Sequence, residues 1–211
     1  MRWAWVVMGA AAVFLISRLH EGAVHLADRY FNRALDALER ELRTDMLKAK
    51  RLGEMDRLLA REPFQRLKLT SAASFRKDGS VFVRGESAEG WDGASARMLD
   101  PSVDLLRPLA NGVPFSVPDS NEDEPNLPQG LARPVLAVPS ANPVRCFAVS
   151  LYGPHASGTD LDGNERAMLA RLAADAAAMY AELESRDLRG EVARLERKLK
   201  VAETAPKGRS R

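Results

Sequence analysis

The reactive side chains of this 211-residue chain are few, and their spacing decides most of what they could do. There is one cysteine, Cys146, and there are three histidines, His20, His25 and His155. A lone thiol excludes an internal disulfide framework. It also leaves no second thiol to resolve a sulfenic acid, which thiol-based reduction cycles usually require. His20 and His25 miss the i, i+3 or i, i+4 spacing that sets two ligands on one helical face, so they do not read as a metal pair. His155 follows Gly153-Pro154 in a loop, and no serine or cysteine nucleophile stands beside it. Asp160, Asp162 and Glu165 lack the ligand set of a calcium loop. Asp162 followed three residues later by Glu165 reads instead as a capping box that opens a helix. No glycine-rich phosphate loop is present. These residues assign no catalytic role and no metal, and they name no cofactor.

A binding role is a better match. Residues Arg145 to Tyr152 alternate as a strand does. Phe147, Val149 and Leu151 fall on one face, which is bulky and suited to packing under helices. Cys146, Ala148, Ser150 and Tyr152 fall on the other, which is smaller and partly polar, and could line a cavity. Together with Trp91, from the irregular stretch GWDGAS, the residues Cys146, Ser150 and Tyr152 are the candidate ligand-pocket residues. Cys146 fits an inert, buried thiol better than a redox sensor, because a reactive cysteine needs an electropositive and accessible setting.

The elements that must position these residues can be read in order. Lys77-Asp78-Gly79-Ser80 is a hairpin turn between two strand-like runs, because Asp-Gly supplies a positive φ. Residues Asp104 to Leu109 suit a short helix. Residues Pro114 to Pro128 are poor in apolar side chains and read as an exposed loop. Strands return at Pro134 to Pro139 and Arg145 to Tyr152, with Ser140-Ala141-Asn142-Pro143 as the turn between them. A long helix starts near Asp162. Beyond the domain, Leu188, Val192, Leu195 and Leu199 keep a coiled-coil spacing.

Ahead of the domain, Trp3 to Ile16 carries no charge, and Leu19 extends the run if Arg18 snorkels. This reads as a membrane anchor. Arg18, Arg29 and Arg33 follow it, so the positive-inside bias puts the rest of the chain in the cytoplasm. From Val24 to Glu62 there is no proline, and apolar residues recur at Phe31, Leu35, Leu38, Leu42, Ala49, Leu52 and Leu59. Asp45 and Asp56 interrupt this stripe. It reads as one connector helix ended by Glu62-Pro63, packed either on its own domain or in a parallel dimeric coil. Met46, Leu47, Met55 and Leu58 lie off the stripe, where they could touch the domain. A net charge of +2 argues against nucleic-acid binding.

The run from Arg133 to Arg189, with its paired strands, glycine-containing loop and acidic helix start at Asp162 and Glu165, resembles the C-terminal half of GAF domains. The opening hairpin around Asp78-Gly79 is similar to the family's first hairpin. The segment from Val24 to Arg43 looks like the helix that joins membrane spans to such domains in bacterial signal-transduction proteins. The resemblance implies an α+β fold, an antiparallel GAF-like sheet of about six strands flanked by helices, here with an N-terminal transmembrane helix and a long connector helix. The expected layout is 1–19 membrane anchor, 20–62 connector helix, 63–185 GAF-like domain, 186–203 C-terminal helical extension and 204–211 disordered basic tail. It further implies sensing rather than catalysis. The Asn-Lys-Phe-Asp pattern of cyclic-nucleotide-binding members is missing, since Asn121-Glu122-Asp123-Glu124 lacks the lysine and phenylalanine.

The expectation is therefore a non-enzymatic sensory module, single-pass in the inner membrane and facing the cytoplasm. It would be a homodimer that binds a small-molecule ligand or a signalling protein. A structural subunit of a membrane complex, with a degenerate domain, is one alternative. A methionine sulfoxide reductase-like domain acting through Cys146 is the other.

Overall fold

The computed structural model describes residues 31–90, 97–99, 109, 115–116 and 134–204. The expected membrane segment, Trp91, nearly all of the Asp104–Leu109 helix, most of the Pro114–Pro128 loop and the tail from residue 205 lie outside the described residues. Among the described residues no helix is long and apolar enough to cross a membrane. The chain divides into two compact units, Met1–Glu41 and Leu42–Arg211. The described part of the first is helical throughout.

The second unit is α+β. Its helices are the end of α1 (residues 31–48), α2 (residues 52–67) and α3 (Gly163–Thr204). Its strands are β1 (Ala72–Asp78), β2 (Val81–Glu89), β3 (Met98–Leu99), β4 (Phe115–Ser116), β5 (Leu136–Ala141) and β6 (Cys146–Tyr152). They form one sheet in the order β3-β2-β1-β6-β5-β4. Every pairing is antiparallel.

The expected hairpin is present. Asp78 pairs with Val81 across Gly79-Ser80, and Gly79 has φ 58°, which a glycine adopts without steric cost. The turn between β5 and β6 falls two residues later than expected, because Ser140 and Ala141 still belong to β5. Asn142 closes it by accepting from the N–H groups of Val144 and Arg145 at 2.9 and 2.7 Å.

The expected single connector helix is two helices. The chain leaves helical geometry at residues 49–51, with Arg51 extended at φ −136° and ψ 148°. Glu54 reaches back to accept from the N–H of Lys50 at 2.7 Å, which stabilises the new start. Helix α2 then runs past Pro63 rather than ending at it. Residues Arg57–Arg61 form a π turn and Glu62–Leu67 resume α-helix. The wider turn lets the chain pass the proline ring, and Pro63 sits in the first turn of the resumed segment, where its missing N–H costs least. The helix stops at Lys68, in the left-handed region at φ 53°, whose N–H caps the carbonyl of Phe64.

Within the second unit, α1 and α2 pack on their own domain. Met46, Met55, Leu58 and Leu59 are buried, whereas Leu47 is exposed. Asp56, expected to interrupt a dimer seam, is instead fully buried.

Candidate functional site

The two faces of the sheet are built differently. Helix α3 packs on β5 and β6, and α2 packs on β1, β2 and β6. Between helices and sheet lies a buried polar cluster centred on Asp56. Its carboxylate accepts from the hydroxyl of Tyr180 at 3.1 Å and faces the Arg76 guanidinium at 3.1 Å. Burial raises the Asp56 pKa against the pull of Arg76. Burial, with the Asp56 charge beside it, raises that of Tyr180. One cluster thus ties α2, β1 and α3 together, and removing Arg76 would leave the fully buried Asp56 carboxylate without its charge partner. Gly85 permits it: a Cβ there would lie 2.3 Å from Asp56 Oδ2.

A second buried hydrogen bond joins β6 to α2. Tyr152 donates to the carbonyl of Leu59 at 2.5 Å. Ser150 and Tyr152 are both fully buried, and Tyr152, which α2 holds, puts this side of β6 under the helices. Burial pushes the Tyr152 phenol well above its ordinary range, so it stays a donor.

The opposite face is an apolar cluster of Ala73, Phe75, Phe82, Leu99, Leu109, Ala137, Val149 and Leu151. Leu99 and Leu109 come from the segment between β2 and β4, and both are buried. Leu99 belongs to β3 itself, and Leu109 packs against the same cluster.

The face assignment read from alternation therefore inverts. Val149 and Leu151 face away from the helices, and Ser150 and Tyr152 face toward them. A β-bulge causes a further slip. The register of β5 against β6 shifts between Ser140 and Ala141, so that Ser140 pairs with Ala148 but Ala141 pairs with Cys146. The extra residue changes the phase. Cys146 packs with the Val149 and Leu151 cluster, while Phe147 lies beside α3 in a groove with Ala181 and Ser185. Arg145 stacks 5.0 Å from the Phe147 ring centroid and pairs with Glu184 at 2.9 Å.

Of the four candidate pocket residues, Cys146 lies on the apolar-cluster side, Ser150 and Tyr152 on the helix side, and Trp91 outside the described residues. Cys146 is half-buried. Its thiol donates to the carbonyl of Ala148 at 3.3 Å, and burial pushes its pKa up. Burial thus outweighs the pull of Lys77 and Arg145, and the thiolate is disfavoured.

The loop before α3 holds the capping box. Asp162 accepts from the N–H groups of Asn164 and Glu165 at 2.7 and 2.8 Å, and Glu165 accepts from the N–H of Asp162 at 2.9 Å. The same Glu165 oxygen lies 2.9 Å from His155 Nε2, and His155 Nδ1 lies 2.7 Å from the carbonyl of Leu67. Both ring nitrogens face acceptors, so only the imidazolium satisfies both. Among the described residues no group of three or more His, Cys, Asp or Glu could hold a metal ion.

No family model matches the chain, and no curated protein matches it. Solved structures do. The GAF domain of a phosphoenolpyruvate-protein phosphotransferase from Coxiella burnetii superposes with a TM-score of 0.62 at 14% identity, covering 74% of this chain and 98% of that one. The free methionine-R-sulfoxide reductase of Neisseria meningitidis gives 0.59 at 12% identity, covering 72% and 91%. Residues 122 to 287 of a methyl-accepting chemotaxis protein give 0.55 at 14% identity, covering 67% and 96%. The second unit has the fold of a GAF domain.

Proposed function

We propose that this chain is a sensory or regulatory module that holds a small molecule on the sheet face turned away from the helices, and that residues 1–19 keep it at the inner membrane with the domain on the cytoplasmic side. The observation that carries this reading is the asymmetry of the sheet. Its helix side is closed by Asp56, Arg76, Tyr180 and Tyr152. Its other side presents Phe75, Phe82, Val149 and Leu151, and gains Leu99 and Leu109 from the segment between β2 and β4. Connecting segments commonly carry binding function.

Thermal denaturation of the full chain against a metabolite panel tests it. A ligand of the native state raises Tm, by an amount that grows with its concentration relative to Kd. Val149→Trp, which fills the apolar face, should remove the shift. If no compound in the panel shifts Tm, the structural-subunit reading gains and the ligand reading fails.

The likeness to a methionine sulfoxide reductase allows a second reading in which Cys146 is the nucleophile. The raised pKa and half-buried position of Cys146 oppose it. Sulfoxide reduction abolished by Cys146→Ser would establish that reading and displace the first.

A further inference from the structure

The imidazole of His155 stands between the end of α2 and the start of α3. Its Nδ1 lies 2.7 Å from the carbonyl oxygen of Leu67, and its Nε2 lies 2.9 Å from Glu165. Helix α2 stops at Lys68, so the Leu67 carbonyl is among the last four that an α-helix leaves without an intrahelical donor. It also lies at the negative end of the helix dipole, which favours a cation. The backbone holds the ring in place. The N–H of His155 donates to the carbonyl of Thr159 at 2.9 Å, and its own carbonyl accepts from Gly158 at 2.9 Å. His155 also forms a β-bridge with Leu69. The His155 side chain is 18% exposed, whereas that of Glu165 is 2% exposed. Solvent can thus exchange protons with the ring but cannot solvate the carboxylate.

We propose that His155 is a proton-operated latch on α2: protonated, it holds the Leu67 carbonyl and Glu165 together, and on losing a proton it lets go of Leu67 while keeping Glu165. A neutral ring carries one N–H. The other nitrogen then turns a lone pair on an oxygen at hydrogen-bond distance, and that contact must open. The two acceptors differ in what they lose. The Glu165 oxygen belongs to a buried carboxylate that also accepts from the N–H of Asp162 at 2.9 Å. A buried charge left short of donors costs more than a neutral carbonyl in the same position. The remaining proton therefore stays on Nε2, and the contact that opens is the one with Leu67. The charges that face the ring are Glu165 and Asp162, from α3 and its cap. Asp160, in the same loop, is paired with the Arg166 guanidinium. From α2 the ring meets a carbonyl, and Lys68, the charged residue at that end, is exposed. Burial lowers the His155 pKa, but the two hydrogen bonds and these charges outweigh it, so the folded value is raised above 6.5. The latch is closed below pH 6.5 and opens as pH rises through the folded value.

The release is local. The capping box of α3 does not use the proton that leaves, because Asp162 still accepts from the N–H groups of Asn164 and Glu165. The end of α2 does depend on it. There the N–H of Leu69 donates to the carbonyl of Phe64 at 3.0 Å, and the N–H of Ala156 donates to the carbonyl of Lys68 at 2.8 Å. Both bonds flank the Leu67 contact and lose the brace it supplies. Helix α2 carries the buried Asp56 and the π turn. Proton concentration therefore sets how firmly the domain grips the end of this helix. This input is separate from a ligand on the apolar face and does not rest on one.

NMR of the isotope-labelled full chain in detergent micelles tests this, with His155→Gln to assign the ring signals. The His155 ring should titrate above pH 6.5, and its neutral form should carry the proton on Nε2. Across that midpoint, amide protection corrected for intrinsic exchange should fall roughly tenfold at Leu69 and Ala156 and stay constant at Glu165. In His155→Gln those two amides should be equally protected on both sides of the midpoint. A ring that titrates at or below 6.5 would overturn the proposal, as would a neutral ring protonated on Nδ1. So would no loss of protection, an equal loss at Glu165, or a loss that survives in His155→Gln. If that variant fails to fold, the tautomer and the exchange of the native chain decide alone.

Discussion

The hydroxyl of Tyr152 donates to the carbonyl oxygen of Leu59 at 2.5 Å, in a fully buried setting. In an unbroken α-helix that carbonyl would receive the N–H of residue 63, and residue 63 is proline. A side chain from the centre of the sheet thus serves a backbone acceptor to which residue 63 offers no N–H.

Tyr152→Phe should lower stability by about 1–2 kcal/mol, because it leaves a buried carbonyl without this donor. Pro63→Ala supplies an N–H at the same place. In the Pro63→Ala background the Tyr152→Phe penalty should shrink, giving a coupling of about 0.5 kcal/mol or more. Urea denaturation of the four proteins measures it. Strict additivity would show that the two residues do not share the acceptor.

Gly85→Ala should be among the costliest single substitutions, on the order of 2–3 kcal/mol, because the new methyl meets a fully buried carboxylate that cannot swing away. Gly53 is the contrast. Its added Cβ would lie 2.6 Å from Glu86 Oε2, but Glu86 is exposed and its carboxylate can move. Gly53→Ala also gains helix propensity. Its thermal midpoint should stay near the parent's, and a drop as large as that of Gly85→Ala would contradict the distinction.

His155 sets a pH dependence. Burial pulls its pKa down, but the hydrogen bonds to Glu165 and Leu67 and the Glu165 charge outweigh this, so the folded-state value is raised above the ordinary 6.5. A base with a raised folded pKa binds its proton more tightly when folded. Its contribution is complete below pH 6.5 and is lost as pH rises through the folded value. His155→Ala should therefore cost about 1–2 kcal/mol in mild acid and less in alkali. Chemical denaturation across that range checks it, and a pH-independent difference would count against the imidazolium.

Cys146 should react slowly with a thiol-specific reagent at pH 8 in the native chain and fast in denaturant. Its thiol is half-buried, bonded to Ala148 and shifted upward. Equal rates in the two states would place the sulfur in an accessible, activated setting and revive the reductase reading.

Local chemistry was legible along the chain. Gly79 announced the first hairpin, Asp162 and Glu165 announced the start of α3, and the alternation around Val149 announced β6, because each signal depends on neighbours in sequence. The candidate pocket was less legible. Alternation separates the two faces of a strand but does not say which one the helices cover. The bulge opposite Ala141 then moved Cys146 and Phe147 across the sheet, and it arises from pairing with another strand. Asp56 is the clearest case. As a polar residue in an apolar stripe it resembled a flaw in a coil, and its meaning lay in Arg76 and Tyr180, which reach it only once the sheet and α3 have assembled.

The order of elements, the turn and cap chemistry and the heptad run of α3 are thus properties of the sequence itself, since they are set within a few residues. The course of α2 past Pro63, the burial of Asp56 and the side of the sheet that the helices cover were decided by tertiary structure. Each depends on a partner far along the chain, and hydrophobic packing chooses that partner only when the whole domain closes.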